Sequence, residues 1–302
     1  MDACAFAVQS MKFEISHRTT YSYRRPVAQS QHLVHLHPRA TPTQSVLLHS
    51  LLIEPAPVGR HELADAFGNI ATVLHIKDEH SVFIVHARST VVVTIGPPPI
   101  LACSSTWEHV AELAAASIPS LDLDVVQYAL PSRHTPISAQ MIAFARASFA
   151  PRQPVLVGAM DLTRRIFSEF KFDPSATDVS TPISRVLEQR RGVCQDFAHL
   201  SLAALRALGI PARYVSGYLL TRPPPGHAKL KGSDASHAWL SVYAPETGWV
   251  DFDPTNGMIP IGEHITVAYG RDYDDISPIS GILLGGGDQS MSVAVDVELA
   301  ES

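Results

Sequence analysis

Three residues of this 302-residue chain combine a type and a setting that suit covalent chemistry: Cys194, His237 and Asp253. Cys194 follows Arg190-Arg191-Gly192-Val193 and opens an apolar run in which Phe197, Leu200, Ala204 and Leu208 recur every three to four residues. That spacing predicts a helix with the thiol at its start. Backbone N–H groups there have no intrahelical acceptor, and the dipole is positive. Both favour thiolate over thiol and suit a developing oxyanion. A cysteine taken at random is more often a small buried hydrophobe. Cys103, in Leu101-Ala102-Cys103-Ser104, is read as structural, and Cys4 as part of a mobile tail.

A thiolate nucleophile needs a base, and the base needs an orienter. With 15 histidines present, proximity along the chain singles out none. The stretch Ser236-His237-Ala238-Trp239-Leu240-Ser241-Val242-Tyr243 predicts a strand, Ala244-Pro245-Glu246-Thr247-Gly248 a turn, and Trp249-Val250-Asp251-Phe252-Asp253 the return strand, stopped by Pro254. Folding about Pro245 pairs position 237 with 253 and puts Asp251 nearer Trp239. Ala238, Leu240, Val242, Val250 and Phe252 then share one face, and His237, Trp239, Ser241, Trp249, Asp251 and Asp253 the other. Cross-strand Cβ atoms lie about 5 Å apart, so Asp253 reaches His237. A bulge in the turn would flip the faces. Without Cys194 the pair reads as an ordinary polar cross-strand contact.

Other groups read as structural. His32, His35 and His37 lie close together, but nothing supplies further metal ligands, and they are taken as polar strand positions. Asp272, Asp274 and Asp275 form an acidic patch without EF-hand spacing and are taken as a solvated loop. Asp196, in the first turn of the Cys194 helix, is expected to cap or pair there. No nucleophile elbow, P-loop or dinucleotide glycine fingerprint is present.

The elements around these residues divide the chain. Residues 12–95 alternate in the strand period, with runs at 45–53, 69–76 and 81–95 and a turn signal in Asp65-Ala66-Phe67-Gly68-Asn69. Gly96-Pro97-Pro98-Pro99 stops that pattern. Helices are predicted over 105–117, 138–149, 155–170, 183–190 and 194–208, the last ended by Gly209 and Pro211. Strands follow at 212–220, 237–243, 249–253, 264–268 and 292–297. The expected organisation is a β-rich region over 1–100 and an α+β catalytic region over 101–302, with its core at about 151–260.

Composition narrows the function. Hydrophobic residues make up 46% and charged residues 17%, a globular balance. A net charge of −6 with no basic run speaks against a nucleic-acid partner, and no apolar stretch is long enough to span a bilayer. Three cysteines with no metal-ligand spacing and no positively charged leader suit a reducing, cytoplasmic setting without metal or cofactor. Either Met1 or Met11 serves as the start.

These motifs resemble the bacterial transglutaminase-like proteins, often described as transglutaminase-like cysteine proteases. The likeness covers nearly the whole chain. It is carried by Arg191-Gly192-Val193-Cys194-Gln195-Asp196-Phe197-Ala198-His199, by Arg206-Ala207-Leu208-Gly209-Ile210-Pro211-Ala212-Arg213-Tyr214, by Asp234-Ala235-Ser236-His237-Ala238-Trp239, by Gly248-Trp249-Val250-Asp251-Phe252-Asp253-Pro254-Thr255-Asn256 and by Gly270-Arg271-Asp272-Tyr273. Ile15-Ser16-His17-Arg18-Thr19-Thr20-Tyr21 and Asp65-Ala66-Phe67-Gly68-Asn69 look like the β-rich region that precedes the catalytic domain in these proteins. The resemblance implies a papain-like α+β core, a Cys-bearing helix packed on an antiparallel sheet. It carries the catalytic triad onto Cys194, His237 and Asp253. Gln195, Trp239 and Asp234 are the further expected oxyanion or site-lining residues.

The expected activity is a thiol-dependent amide hydrolase or acyltransferase acting on a protein or peptide substrate, with hydrolysis ahead of amine transfer. A catalytically silent peptide-binding module on the same fold is the alternative, and the N-terminal strands could serve as an interaction surface. Oligomeric state is left open.

Overall fold

Alternating side chains make the first hundred residues a sheet. The computed structural model describes residues 9–116, 121–222, 232 and 234–300; Met1, Cys4 and the proline run 223–225 lie outside the described residues. The first strand, β1 (Gln9–Val34), buries Phe13, Ile15, His17 and Thr19 on one face while 14 and 18 face out. It is joined by β2 (Gln44–Glu54), β3 (Gly59–Ala64), β4 (Ile70–Ile76) and β5 (His80–Ile95), all antiparallel, in the order β2-β5-β1-β4-β3. Pro26 falls where the β1–β5 register shifts, so its missing N–H breaks no regular ladder.

Among the described residues six α-helices follow: α1 (Trp107–Ala115), α2 (Leu123–Val126), α3 (Ala139–Arg146), α4 (Val155–Glu169), α5 (Ile183–Gln189) and α6 (Cys194–Ala207). Two-residue strands β6 (Lys171–Phe172) and β7 (Arg191–Gly192) pair in parallel just before α6. Helix α6 is apolar nearly all round, and every residue from 196 to 206 is buried, as a helix at the centre of a core requires. It ends with Gly209 at φ +80°, where Gly209 N–H donates to the Arg206 carbonyl and Ile210 N–H to that of Leu205, a Schellman closure. Against α6 packs a second antiparallel sheet: β8 (Ala212–Leu219), β9 (Ser236–Ala244), β10 (Gly248–Phe252) and β11 (His264–Gly270), in the order β10-β9-β8-β11. Ala238, Leu240, Val242, Val250 and Phe252 face the helices, as the alternation predicts.

The outer face of that sheet is also buried, which explains why Trp239 and Ser241 have no exposed surface. The N-terminal region covers it. The Gln44 amide donates to the Thr266 carbonyl at 2.8 Å and accepts from Thr266 N–H at 2.8 Å. The Asn69 amide does the same for Tyr269, at 2.7 and 2.8 Å. Two side-chain amides thus stand in for a neighbouring strand along the edge of β11.

The chain then returns to the first sheet. Strands β12 (Ile279–Gly285) and β13 (Gln289–Leu299) both pair with β1, and Gly285, Gly286 and Gly287 at φ +106°, +85° and +65° make the turn between them. The sheet expected from residues 1–100 therefore holds two strands from beyond residue 278. Phe13, Ile15, Val91 and Val93 share one core cluster with Val295, Val297 and the helices. Strands β3 and β12 went unpredicted because both are mostly exposed and show no buried alternation.

Candidate active site

The position of Cys194 follows from its neighbours. Val193 is the N-cap of α6, so Cys194 is the first helical residue, half-buried. Asp196 accepts from Val193 N–H at 2.8 Å and from the Thr177 hydroxyl at 2.6 Å, and burial pushes its carboxyl up. It caps the helix, the role expected of it.

The carboxylate of Asp253 has no exposed surface and sits in a turn that Pro254 begins. Its Oδ1 accepts from the N–H groups of Thr255 (2.9 Å) and Asn256 (3.2 Å). Its Oδ2 accepts from Asn256 Nδ2 at 2.7 Å, His237 Nε2 at 2.8 Å and His264 Nε2 at 2.9 Å. Burial alone would raise this carboxyl, but the hydrogen bonds and charges of two imidazoles outweigh it and hold it well below its ordinary range. His237 is the mirror case. Burial disfavours its charge, yet Asp253, hydrogen-bonded to Nε2, and the Cys194 sulfur near the ring raise it well above 6.5. Since Nε2 belongs to Asp253, Nδ1 is the ring nitrogen left for another partner.

Trp239 holds this arrangement from behind. Its ring lies 5.9 Å from that of His237, nearly parallel, and 5.1 Å from that of His264, edge-on, while its Nε1 donates to Asp251 at 2.9 Å. Gly217, opposite His237 on β8, makes room for it. A Cβ there would lie 2.1 Å from the Ile265 carbonyl oxygen and 2.5 Å from the Trp239 ring.

The hairpin register differs from the expected one. Val250 pairs with Val242 and Phe252 with Leu240, so the turn is centred one residue later than Pro245, and extending the ladder points position 253 to 239. A shift of two keeps every side chain on its expected face, and Asp253 reaches His237 diagonally. Of the other expected site residues, Gln195 stands beside the thiol, half-buried. Asp234 is engaged elsewhere: it accepts from the Thr221 hydroxyl and from Val297 N–H at 2.9 Å, tying β9 to β13.

His264 and Asn256 complete the carboxylate's shell and were not singled out by sequence. The Asp253-Pro254-Thr255-Asn256 run carries a turn signal for Asn256; nothing marks His264 among 15 histidines. The three histidines disperse, whereas Asp272 and Asp274 stay together beside His134, with Asp272 buried rather than in the solvated loop expected. His32 stacks on Phe83 at 4.1 Å, His35 lies 3.4 Å from Asp65, and His37 packs on His49 at 4.2 Å. Asp272 accepts from His134 N–H, Asp274 pairs with Arg133 and His134, and Asp275 with Arg271. His199, quoted above within the Cys194 motif, is buried against His134 and accepts from Tyr273 N–H; burial, then His134, lowers it to about 3.

A helix-borne thiol, an antiparallel sheet bearing the imidazole and a β-rich leader define a class. The chain belongs to the transglutaminase-like superfamily, whose profile matches residues 142–254, and it carries a bacterial transglutaminase-like N-terminal region at residues 13–92. It is 36% identical over 292 residues to an uncharacterized protein of Mycobacterium tuberculosis, covering 95% of this chain and 92% of that one. A protein-glutamine gamma-glutamyltransferase of Pseudomonas aeruginosa is 29% identical over 132 residues, 43% of this chain and 20% of that one. A crystal structure from Cytophaga hutchinsonii, described as that of a candidate cysteine protease, superposes with a TM-score of 0.74 at 24% identity and covers 97% of this chain and 92% of that one. That last likeness shows the papain-like fold. No helix among the described residues is long and apolar enough to cross a membrane.

Proposed function

We propose that this protein is a thiol-dependent enzyme that cleaves amide bonds of protein or peptide substrates, with Cys194 as nucleophile, His237 as acid and base, and Asp253 as orienter. The observation that carries this reading is the buried Asp253 carboxylate holding His237 Nε2 at 2.8 Å, which leaves Nδ1 for the sulfur. The Cys194 sulfur attacks the amide carbonyl carbon. The carbonyl oxygen becomes anionic, and the Cys194 backbone N–H, unused by the helix, faces it. His237 Nδ1–H gives its proton to the amine nitrogen as the C–N bond breaks, leaving a thioester on Cys194. Water then gives a proton to His237 and attacks the thioester, releasing the acid and restoring the thiol. An amine in place of water gives a new amide. Asp253 stays ionised throughout and keeps the Nε2–H tautomer.

The Pseudomonas relative is named for transfer from protein-bound glutamine, which makes a glutaminyl peptide the first substrate to try. Mass spectrometry of such a peptide, with and without a primary amine, separates the reactions. Deamidation or chain cleavage marks hydrolysis; an amine adduct marks transfer. Cys194→Ala abolishes every product. Unchanged turnover in that variant overturns the assignment.

A further inference from the structure

A cavity of about 750 Å³ lies on the outer face of the four-stranded sheet, closed on its other side by residues 39–44 and 93–99. Neither Cys194 nor His237 lines it. At its floor the Arg213 guanidinium is sandwiched, 3.4 Å from the centroid of the Tyr269 ring and 4.3 Å from that of Trp249. The two rings fix its plane. Its Nε is buried with no partner, and among the described residues nothing accepts a hydrogen bond from the guanidinium. An arginine withdrawn from water without a carboxylate or carbonyl to receive its protons is costly in a folded protein. Arg206 shows the usual solution in the same chain: more deeply buried than the half-buried Arg213, it donates to the carbonyls of Tyr128, Ala212 and Arg271 and to the hydroxyls of Ser132 and Thr135.

The other polar groups of the cavity leave Arg213 unanswered. Arg39 lies 4.9 Å from the centroid of the Tyr269 ring, with Nη1 taken by the Phe67 carbonyl and the Asn69 side chain. Asp251 accepts from Trp239 Nε1. His264 lines the wall, with Nε2 on Asp253 and Nδ1 buried and unpartnered. Two guanidinium charges against one carboxylate leave a single positive charge. The rest of the lining is mixed: Val93, Ile95, Ile259 and Ile261 give it an apolar part, beside Gln44 and several threonines.

We infer that this cavity is a binding site for a monoanionic carboxylate with an apolar body, its two oxygens taking the planar fork of Arg213. A carboxylate matches both the fork and the single charge to be neutralised. A phosphate monoester, nearer two negative charges, would bring uncompensated charge into a desolvated site. The volume suits a small organic acid or the last residues of a peptide. The two sources share the carboxylate. The site is separate from the proposed thiol chemistry and touches it only through His264, which joins the cavity wall to Asp253.

Calorimetric titration of the full chain tests this with four probes: 3-phenylpropionate, its amide, and a phenylalanine-ending tripeptide as free acid and as C-terminal amide. The acids bind, and the amides bind about tenfold or more weakly. Tighter binding of the tripeptide acid identifies a peptide C terminus as occupant; tighter binding of phenylpropionate identifies a free acid. Arg213→Gln lowers acid binding to the amide level, while alkylation of Cys194 reports that the variant is folded. Should that variant fail to fold, the acid–amide difference on the unaltered chain decides. Equal binding of acid and amide overturns the inference, as does absence of binding by all four.

Discussion

The Asp253 carboxylate lies 2.8 Å from His237 Nε2 although the β9–β10 ladder ends at Phe252 with Leu240, so that its extension points to 239 rather than 237. The reach is diagonal, and Asp253 is fixed for it by the turn that follows rather than by the strand. Its Oδ1 is held by two backbone N–H groups, leaving Oδ2 for Asn256, His237 and His264.

Asp253→Asn tests the orienting role. The amide keeps the volume but loses the charge that raises His237. The imidazolium then persists to a lower pH than in the unaltered chain, so the alkaline limb of the kcat/KM profile moves down. The rate falls by about 10³–10⁴ because the amide no longer enforces the Nε2–H tautomer. Steady-state kinetics on the substrate found by mass spectrometry reads both. An unaltered alkaline limb would contradict the coupling.

Structure and chemistry separate at two of the three residues. Asp253→Ala leaves the donors of His237, His264, Asn256 and Thr255 without an acceptor, at a cost of about 3–5 kcal/mol. Cys194→Ala removes a half-buried sulfur and costs about 1 kcal/mol or less. Urea midpoints of the two variants should differ accordingly; equal losses would mean that the carboxylate shell is not a structural anchor.

Gly217→Ala tests how Trp239 is seated. The added methyl would lie 2.1 Å from the Ile265 carbonyl oxygen, which is backbone and cannot turn aside. The β8–β11 pair or the Trp239 ring must shift, costing about 2–3 kcal/mol. Thermal unfolding checks it, and a variant as stable as the parent would show that the packing over His237 is looser than described.

Acid stability reports the buried imidazoles. Burial, with His86 adding to it, lowers His17 to about 4, and His199 is lowered to about 3, both from 6.5. Between these values and 6.5 the unfolded chain binds protons that the folded chain does not. The contribution of these two residues is therefore full above 6.5 and falls as pH drops toward 4, by up to about 1.4 kcal/mol per pH unit for each. His17→Gln keeps partners for Tyr218 and Thr19 and removes its share of the slope. Denaturant midpoints between pH 7 and 5 that do not move would refute this.

Much of this was written in the local pattern. The 3.6-residue period after Cys194, closed by Gly209 and Pro211, predicted α6 to within a residue, because a core helix shows its apolar positions directly. The alternation from 236 to 253 predicted the faces of the hairpin despite a misplaced turn, because a slip of two restores the same parity. Long-range pairing left no local trace. Nothing in 279–299 announces that it returns to β1, nor that Gln44 and Asn69 serve as the edge partner of β11. His264 was silent for the same reason, since its role depends on a strand two places away in the sheet from β9.

The central claim is that His237, charged through Asp253, activates the Cys194 sulfur, and iodoacetamide labelling read by peptide mass mapping tests it most directly. Cys103 is exposed and has no such partner among the described residues, so it serves as the internal reference. Near neutral pH, Cys194 should be alkylated much faster than Cys103, and His237→Gln should bring its rate down to that of Cys103. Equal, slow labelling of the two thiols in the unaltered chain would contradict the account.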